Sequence, residues 1–594
     1  MKYFKITKSF NGYANKIDRT KLPVNFLVEG SQNVLSTDGE NIKIREGYTL
    51  LGASSTTTEP IESSYDWETH NGVSRNIRVY DDGTNDGTLE VLYESSWIEI
   101  GNGYTTAVMN FAEYWDTNEV EDVLLFVNGD ANIYAWSGGI AKIGVTTANT
   151  IQLLDTTTTW SEERFISNGT DYDKIITING TDYTYTGGES TDTLTGVTPD
   201  PSGEASGSIS TQTITTKVNK PASGVKNDLI AVLENQVYIG SLTNRQVFKS
   251  AVNDFTDYTY SSPRLTGEGA LLTLDSSPTG FIVQEEYLYI SAGKDQWYRI
   301  IFEMSSDLLN ETIFVKRLNT TAQESARSQS SIAKIKNQVV YISNEPTLDS
   351  LGRIENVDTP QSVNMSDSIK TDFDGYDFTN THLKYYKNNL YIALPVEGLV
   401  LIYNISKGFW EAPQILPVRR FAIIDGELYG HSSNVTETYK LFDGYNDNEN
   451  PIEAVAKFAY QDFGARAWLK NFDEHFTEGY ISTNTKLDLQ LNYDYDGFTS
   501  VKEYEIEGDD EAILFQSITD SSLGKSSLGK EPLGGPIDAI EELSKFRIKH
   551  TIIKDDFFEV QVAYSTNQLN ARWEILSFGS NTYLSTNDSI NIKK

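Results

Sequence analysis

One strand motif returns five times, and nothing else in the chain restricts its fold as much. It runs Asn235-Gln236-Val237-Tyr238-Ile239, Glu286-Tyr287-Leu288-Tyr289-Ile290 and Asn337-Gln338-Val339-Val340-Tyr341-Ile342, then Asn388-Asn389-Leu390-Tyr391-Ile392 and Asp425-Gly426-Glu427-Leu428-Tyr429-Gly430. The steps between the repeat tyrosines Tyr238, Tyr289, Tyr341, Tyr391 and Tyr429 are 51, 52, 50 and 38 residues. Each copy opens on a polar turn and continues as alternating apolar and polar residues, the pattern of a half-buried strand. A unit of this kind recurring without helical periodicity predicts the blades of a β-propeller. Two earlier copies, ending at Tyr93 and Tyr134, raise the expected number to about six or seven blades.

The remainder divides around these repeats. Residues 1–64 read as an extended N-terminal segment with a hairpin turning at Asp38-Gly39, and residues 65–145 as the first blades. Residues 146–222, rich in Thr, Gly and Asp, read as a small inserted β-domain; 223–448 carry the remaining blades. Residues 449–594 alternate cleanly, as in Leu487, Leu489 and Leu491, and predict a C-terminal β-sandwich. Phe546 to Tyr564 reads as a hairpin around Lys554-Asp555-Asp556, and Trp573 to Phe578 as a closing strand. A period-five Leu-Gly repeat over 521–535 reads as a loop. The fold class expected is therefore all-β.

The 594 residues carry a formal charge of -36, unevenly spread. Residues 1–50 hold eight bases and five acids, whereas 51–200 hold five bases and 25 acids. A surface of that sign repels a nucleic-acid backbone. Asp81, Asp82, Asp86, Glu119, Glu121 and Asp122 are the acidic candidates for a channel-facing surface. With no cysteine, disulfides and thiolate metal sites are excluded. No apolar leader and no membrane-length apolar run occurs, so neither a signal peptide nor a membrane span is expected, and synthesis is expected in the cytoplasm.

Catalytic signatures are missing. His70, His382, His431, His475 and His550 stand at no metal-ligand spacing, and no nucleophile elbow, phosphate loop or dinucleotide fingerprint occurs. Asn492, Asp494, Asp496, Gly497 and Glu503 match a calcium-loop spacing, but the flanks alternate with period 2 instead of forming helices, which favours a β-turn. Trp297 and Trp410 fall on blade positions and read as core. No catalytic residue, metal or cofactor is expected, and the chain does not read as an enzyme.

The layout resembles the propeller-bearing tail nozzle or hub proteins of tailed bacteriophages, the tail tubular protein B and packaged-DNA stabilisation group. The likeness rests on Asn33-Val34, Asp38-Gly39 and Arg45-Glu46-Gly47-Tyr48 near the start. It rests also on Tyr403 to Trp410 and Leu441-Phe442-Asp443-Gly444 in the blades, and on the Leu-Gly loop beside the sandwich. The resemblance implies a virion structural protein of the tail or head-tail region, ring-forming and hexameric. It would contact portal, adaptor and tail proteins, continue a channel through which viral DNA passes without specific binding, retain the genome and open at ejection. The alternative is a receptor- or glycan-binding protein of the tail tip or a capsid vertex.

Overall fold

The computed structural model describes residues 2–584 apart from 8, 16–21, 38, 53–57, 85, 118–120, 166–173, 218–225, 305–308, 319–323, 337, 353–361, 465–467, 484, 494–499 and 509–542. The described chain is almost entirely β. Its largest feature is a ring of seven antiparallel blades, six of four strands and the sixth of five, with Gln414–Ile415 as the extra strand. Each blade runs outward from an inner strand. The inner strands are Ile61–Glu68, Asn110–Asp116, Leu229–Leu233, Pro278–Gln284, Ile332–Ile335, His382–Tyr386 and Val418–Ile424. Each touches the next in order, and the seventh touches the first, so the ring closes. Ser64 and Asn76 of blade 1 donate across that closure to the carbonyls of Phe421 and Ile423.

The repeat motif forms the turn and second strand of blades 3 to 7. In each, a two-residue connection places its first residue at positive φ: Glu234, Glu285, Lys336, Lys387 and Asp425. That is the tight hairpin geometry whose twist matches the strands it joins. One copy is out of step. Tyr238, Tyr289, Tyr391 and Tyr429 stand at the third pair from the turn, opposite Ala231, Ile282, Lys384 and Ala422. Tyr341 stands at the fourth pair, opposite Ile332. A shift of one residue turns a side chain to the other face of the sheet. Tyr238 therefore packs toward blade 4, with Phe281 and Leu288, and Tyr391 toward blade 7, with Phe421 and Leu428. Tyr341 points back toward blade 4, with its ring 5.0 Å from that of Trp297. Val340 takes the forward-facing place and packs with Leu383 and Leu390 of blade 6.

Blade 7 borrows its outer strand from the other end of the chain. Tyr48–Leu50 pairs with Thr438–Leu441. The N-terminal segment also feeds the C-terminal sandwich. Lys2–Thr7 and the hairpin Val34–Thr37/Asn41–Ile44 join Trp573–Leu584, Lys470–Ser482 and Leu543–Phe557 in one sheet. The facing sheet runs in the order Ile452–Lys457, Val560–Gln568, Lys486–Tyr493, Ser500–Glu507. Leu487, Leu489, Leu491 and Val562 meet Phe472, Trp573, Ile575 and Phe578 between them. The same apolar cluster continues through Phe10, Tyr13 and Leu27 into blades 5 and 6.

Three local expectations change. The inserted domain, with strands from Ile140–Thr147 to Ile209–Gln212 and its own core around Ile143, Trp160 and Leu194, lies inside blade 2 and not between blades. The outer strand of that blade, Thr215–Lys217, follows the insertion and pairs with Ile133–Trp136. Phe546 to Tyr564 is no hairpin: Leu543–Phe557 belongs to one sheet and Val560–Gln568 to the other, so the chain crosses the sandwich between them. The acidic stretch Thr371 to Asp377, whose Asp and Gly content reads in the sequence as a turn, begins instead with a short helix, Lys370–Gly375.

Candidate functional site

Propeller, sandwich and N-terminal segment meet at a polar clasp built around Arg45. Its side chain has no exposed surface. Nη1 and Nη2 each donate to a carboxylate oxygen of Asp447 at 2.6 Å, Nε donates to Asn33 Oδ1 at 3.0 Å, and Nη2 donates to the Ile415 carbonyl. The planar fork of arginine matches a carboxylate in this two-pronged way, which lysine does not. Asn33 is the second centre. Its backbone adopts positive φ (55°). Its amide donates to the Glu453 carbonyl at the start of the sandwich, and its Oδ1 also accepts from the Ile415 N–H at the edge of blade 6.

Two residues later the chain passes so close to the Asp443–Asp447 connection that a Cβ on Gly47 would lie 1.9 Å from the Asn446 carbonyl oxygen. Only glycine fits there. Tyr48 then starts the strand that closes blade 7, and its ring lies 4.8 Å from that of Tyr439. The stretch from Asn33 to Tyr48 thus fastens the disc, seats the sandwich and completes the last blade. Asn33, Arg45 and Gly47 stand out in the sequence; Asp447 reads there only as part of an acidic turn.

The acidic candidates do not form one surface. Asp81, Asp82 and Asp86 occupy the turn between the second and third strands of blade 1. Asp82 accepts from the hydroxyl and the N–H of Thr84, which hold its carboxyl below its ordinary range. Asp81 accepts from the Gly83 N–H. Glu121 and Asp122 begin the second strand of blade 2, where Asp122 is buried and takes two bonds from His70, through its N–H and its Nδ1. His70 sits at the opposite end of the Ser74–Asp81 strand. The two groups are thus about a strand length apart, roughly 26 Å for eight residues. Glu121 lies 3.8 Å from Arg164. Glu119 lies outside the described residues.

The repeat tyrosines are structural in placement. Burial raises the phenol pKa in all five, to about 12 for Tyr391. Trp297 and Trp410 are buried and offer no platform for a sugar. The histidines do not assemble a catalytic group. His475 touches Ser580 at 3.1 Å and Tyr564 at 3.2 Å, but it is fully buried and burial drops its pKa to about 3. A base that weak, sealed in the sandwich core, does not activate a serine. Among the described residues no group of three or more His, Cys, Asp or Glu is placed to hold a metal ion. Of the calcium-loop match, Asp494, Asp496 and Gly497 lie outside the described residues, as does the Leu-Gly repeat, 521–535, while Asn492 and Glu503 stand on the paired strands Lys486–Tyr493 and Ser500–Glu507. Among the described residues no helix is long and apolar enough to cross a membrane.

No family model matches the chain, and no curated protein matches it. Solved propeller proteins are similar to it in shape. The crystal structure of BBS1N in complex with ARL6DN is 10% identical over 67% of this chain and 98% of that chain, with a TM-score of 0.33. Sqt1 of Saccharomyces cerevisiae is 10% identical over 69% of this chain and 99% of its own, also at 0.33. A glutaminyl cyclase of Myxococcus xanthus reaches a TM-score of 0.18, at 7% identity and 36% of this chain. No enzymatic family is evident. Scores this low carry no functional argument; the propeller is established by the strand pairing and the closed ring of inner strands in this chain.

Proposed function

We propose that this protein is a structural component of a tailed-phage virion, a ring-forming nozzle or hub subunit that extends the DNA channel, holds the packaged genome and lets it leave at ejection. The observation that carries this reading is the Arg45 clasp. Asn33 and the Arg45-Glu46-Gly47-Tyr48 stretch, on which the resemblance to nozzle proteins opens, are the residues that close this disc and fasten the sandwich to it. A disc locked in this way is a rigid part, as a load-bearing ring requires. The net charge of -36 is compatible with passage of DNA, because a molecule acidic overall gains little from counterion release and does not hold a phosphate backbone. Six copies in the ring, contact with portal and adaptor, and location in the tail or head-tail region follow from the resemblance.

Mass spectrometry of gradient-purified particles tests the reading. The protein is expected in particles, at a copy number that is a multiple of the ring order. Its absence from particles, with abundance in the infected-cell lysate, refutes it.

A further inference from the structure

The inner strands of all seven blades surround a cavity of about 700 Å³ at the end of the ring where those strands begin. Its charge runs against that of the chain. A protein of net charge -36 lines this space with Arg327, Lys334, Lys384 and Arg420, against one carboxylate among the described lining residues, Asp66. Asp66 is already occupied: it accepts from Lys384 Nζ at 2.6 Å, from the Ile423 N–H at 2.9 Å and from the Asn76 amide at 3.1 Å. Three cationic groups remain in excess.

Arg420 is the most informative. It is 6% exposed. Its Nε donates to the Glu62 carbonyl and its Nη1 to the carbonyls of Asn380 and Arg419. These neutral acceptors fix the plane of the guanidinium and leave Nη2 without an acceptor among the described residues. The nearby Glu62 carboxylate is bonded to Arg419. Burial lowers the Arg420 pKa to about 10, so the group is still charged at neutral pH. A buried cation whose one nearby carboxylate, Glu62, is shared with a second arginine is costly to hold, and an anion in the cavity relieves that cost.

His382 adds a neutral donor. Its Nδ1 accepts the Phe421 N–H at 3.0 Å, and burial keeps the ring uncharged, so the hydrogen sits on Nε2 at the cavity wall. Arg327 and Lys334 form no ion pair with a described residue. Arg327 also helps to hold the Asp377 carboxyl low, but the bonds from Thr379 to that carboxyl are the larger cause. Met109, Leu229 and Leu383 supply an apolar side. The volume lies within the range of about 300–1,000 Å³ typical of small-molecule sites.

We propose that the propeller cavity binds a small organic polyanion through phosphate or carboxylate groups, held by Arg420, Arg327 and Lys334, with His382 donating as a neutral group. The site is independent of the virion reading and would exist whether or not the protein forms rings.

Calorimetric titration of the full chain with pyrophosphate, adenosine monophosphate and citrate tests it. Arg420 has a structural share, so the variant used is the pair Arg327→Gln with Lys334→Gln, whose side chains are not fully buried. Saturable heat at one site per chain is expected with at least one probe, weakening as salt rises. The double variant should bind about tenfold or more weakly, since it loses two charge-assisted contacts. It should melt at the wild-type temperature without ligand and lose the ligand-induced rise in Tm. Binding of pyrophosphate or the nucleotide but not citrate assigns phosphate as the recognised group; the reverse assigns carboxylate. No heat with any of the three probes, or binding unchanged in the double variant, overturns the proposal.

Discussion

Arg45 shows how much of this fold hangs on a single side chain. Its partner Asp447 is 402 residues away, and each of the two is readable alone as something ordinary, a base in a strand and an acid in a turn. Their pairing is a tertiary fact and leaves no periodic trace. Arg45→Met is expected to cost about 2–4 kcal/mol, because it takes both donors from the largely buried Asp447 carboxylate; urea unfolding measures it, and a loss below about 1 kcal/mol would place the clasp among ordinary surface pairs. Tyr238 makes the opposite case. Its hydroxyl is buried with no hydrogen-bond partner among the described residues. Tyr238→Phe should therefore be neutral or stabilising by up to about 1–2 kcal/mol, whereas Tyr238→Ala leaves a cavity and should cost about 3–5 kcal/mol. His475 sets a pH dependence. Its folded pKa, about 3, lies below the unfolded value near 6.5, so the unfolded chain binds the extra proton in between. The stability it contributes is complete above about pH 6.5 and is lost as pH falls toward 3. Acidification also relieves the self-repulsion of a -36 chain, so the difference from His475→Gln is the proper readout. The variant should show a flatter fall of Tm between pH 6.5 and 4 than the wild type.

At the level of elements, the repeat was legible because a two-residue turn followed by a half-buried strand is local chemistry. Five turns with positive φ and five tyrosines on second strands fall where the period predicts. The extra residue in the copy ending at Tyr341 was also visible, as a step of 52 and a doubled Val339-Val340. Its consequence, a tyrosine facing the preceding blade, needs the register. The closing strand Tyr48–Leu50 was not legible: three residues hold no period, and their pairing is decided by Thr438–Leu441. The crossing at Phe557–Val560 leaves no trace in the sequence for a related reason. Two alternating strands separated by a short break look alike whether they pair or face each other across a core. Gly47→Ala tests the closing element. A methyl group placed 1.9 Å from the Asn446 oxygen forces the clasp apart. The cost expected is about 2–4 kcal/mol, well above the few tenths that an exposed strand glycine involves. A thermal melt within about 1 °C of wild type would contradict the tight approach.

For the whole molecule, the consequence is mechanical. One apolar cluster runs from the sandwich through Phe10, Tyr13 and Leu27 into blades 5 and 6, and the clasp bridges the same bodies with polar bonds. Removing residues 1–50 takes away the outer strand of blade 7 and three strands of a sandwich sheet together. Such a chain is expected to lose cooperative unfolding and to aggregate through its open edges, seen as a broad melt and a void-volume peak in gel filtration. The acidic surface was legible as composition. Its division into separate patches on blades 1 and 2 was not, because Asp122 is claimed by His70 and Asp81 and Asp82 by their own turn. The central claim is that this clasped disc is an architectural ring subunit. Cryo-electron microscopy of purified particles tests it most directly: the account predicts a ring on the tail axis below the portal, each copy showing a seven-sector disc joined to a sandwich. Copies found singly at the tail tip or on capsid vertices, with no ring about the DNA channel, would contradict it.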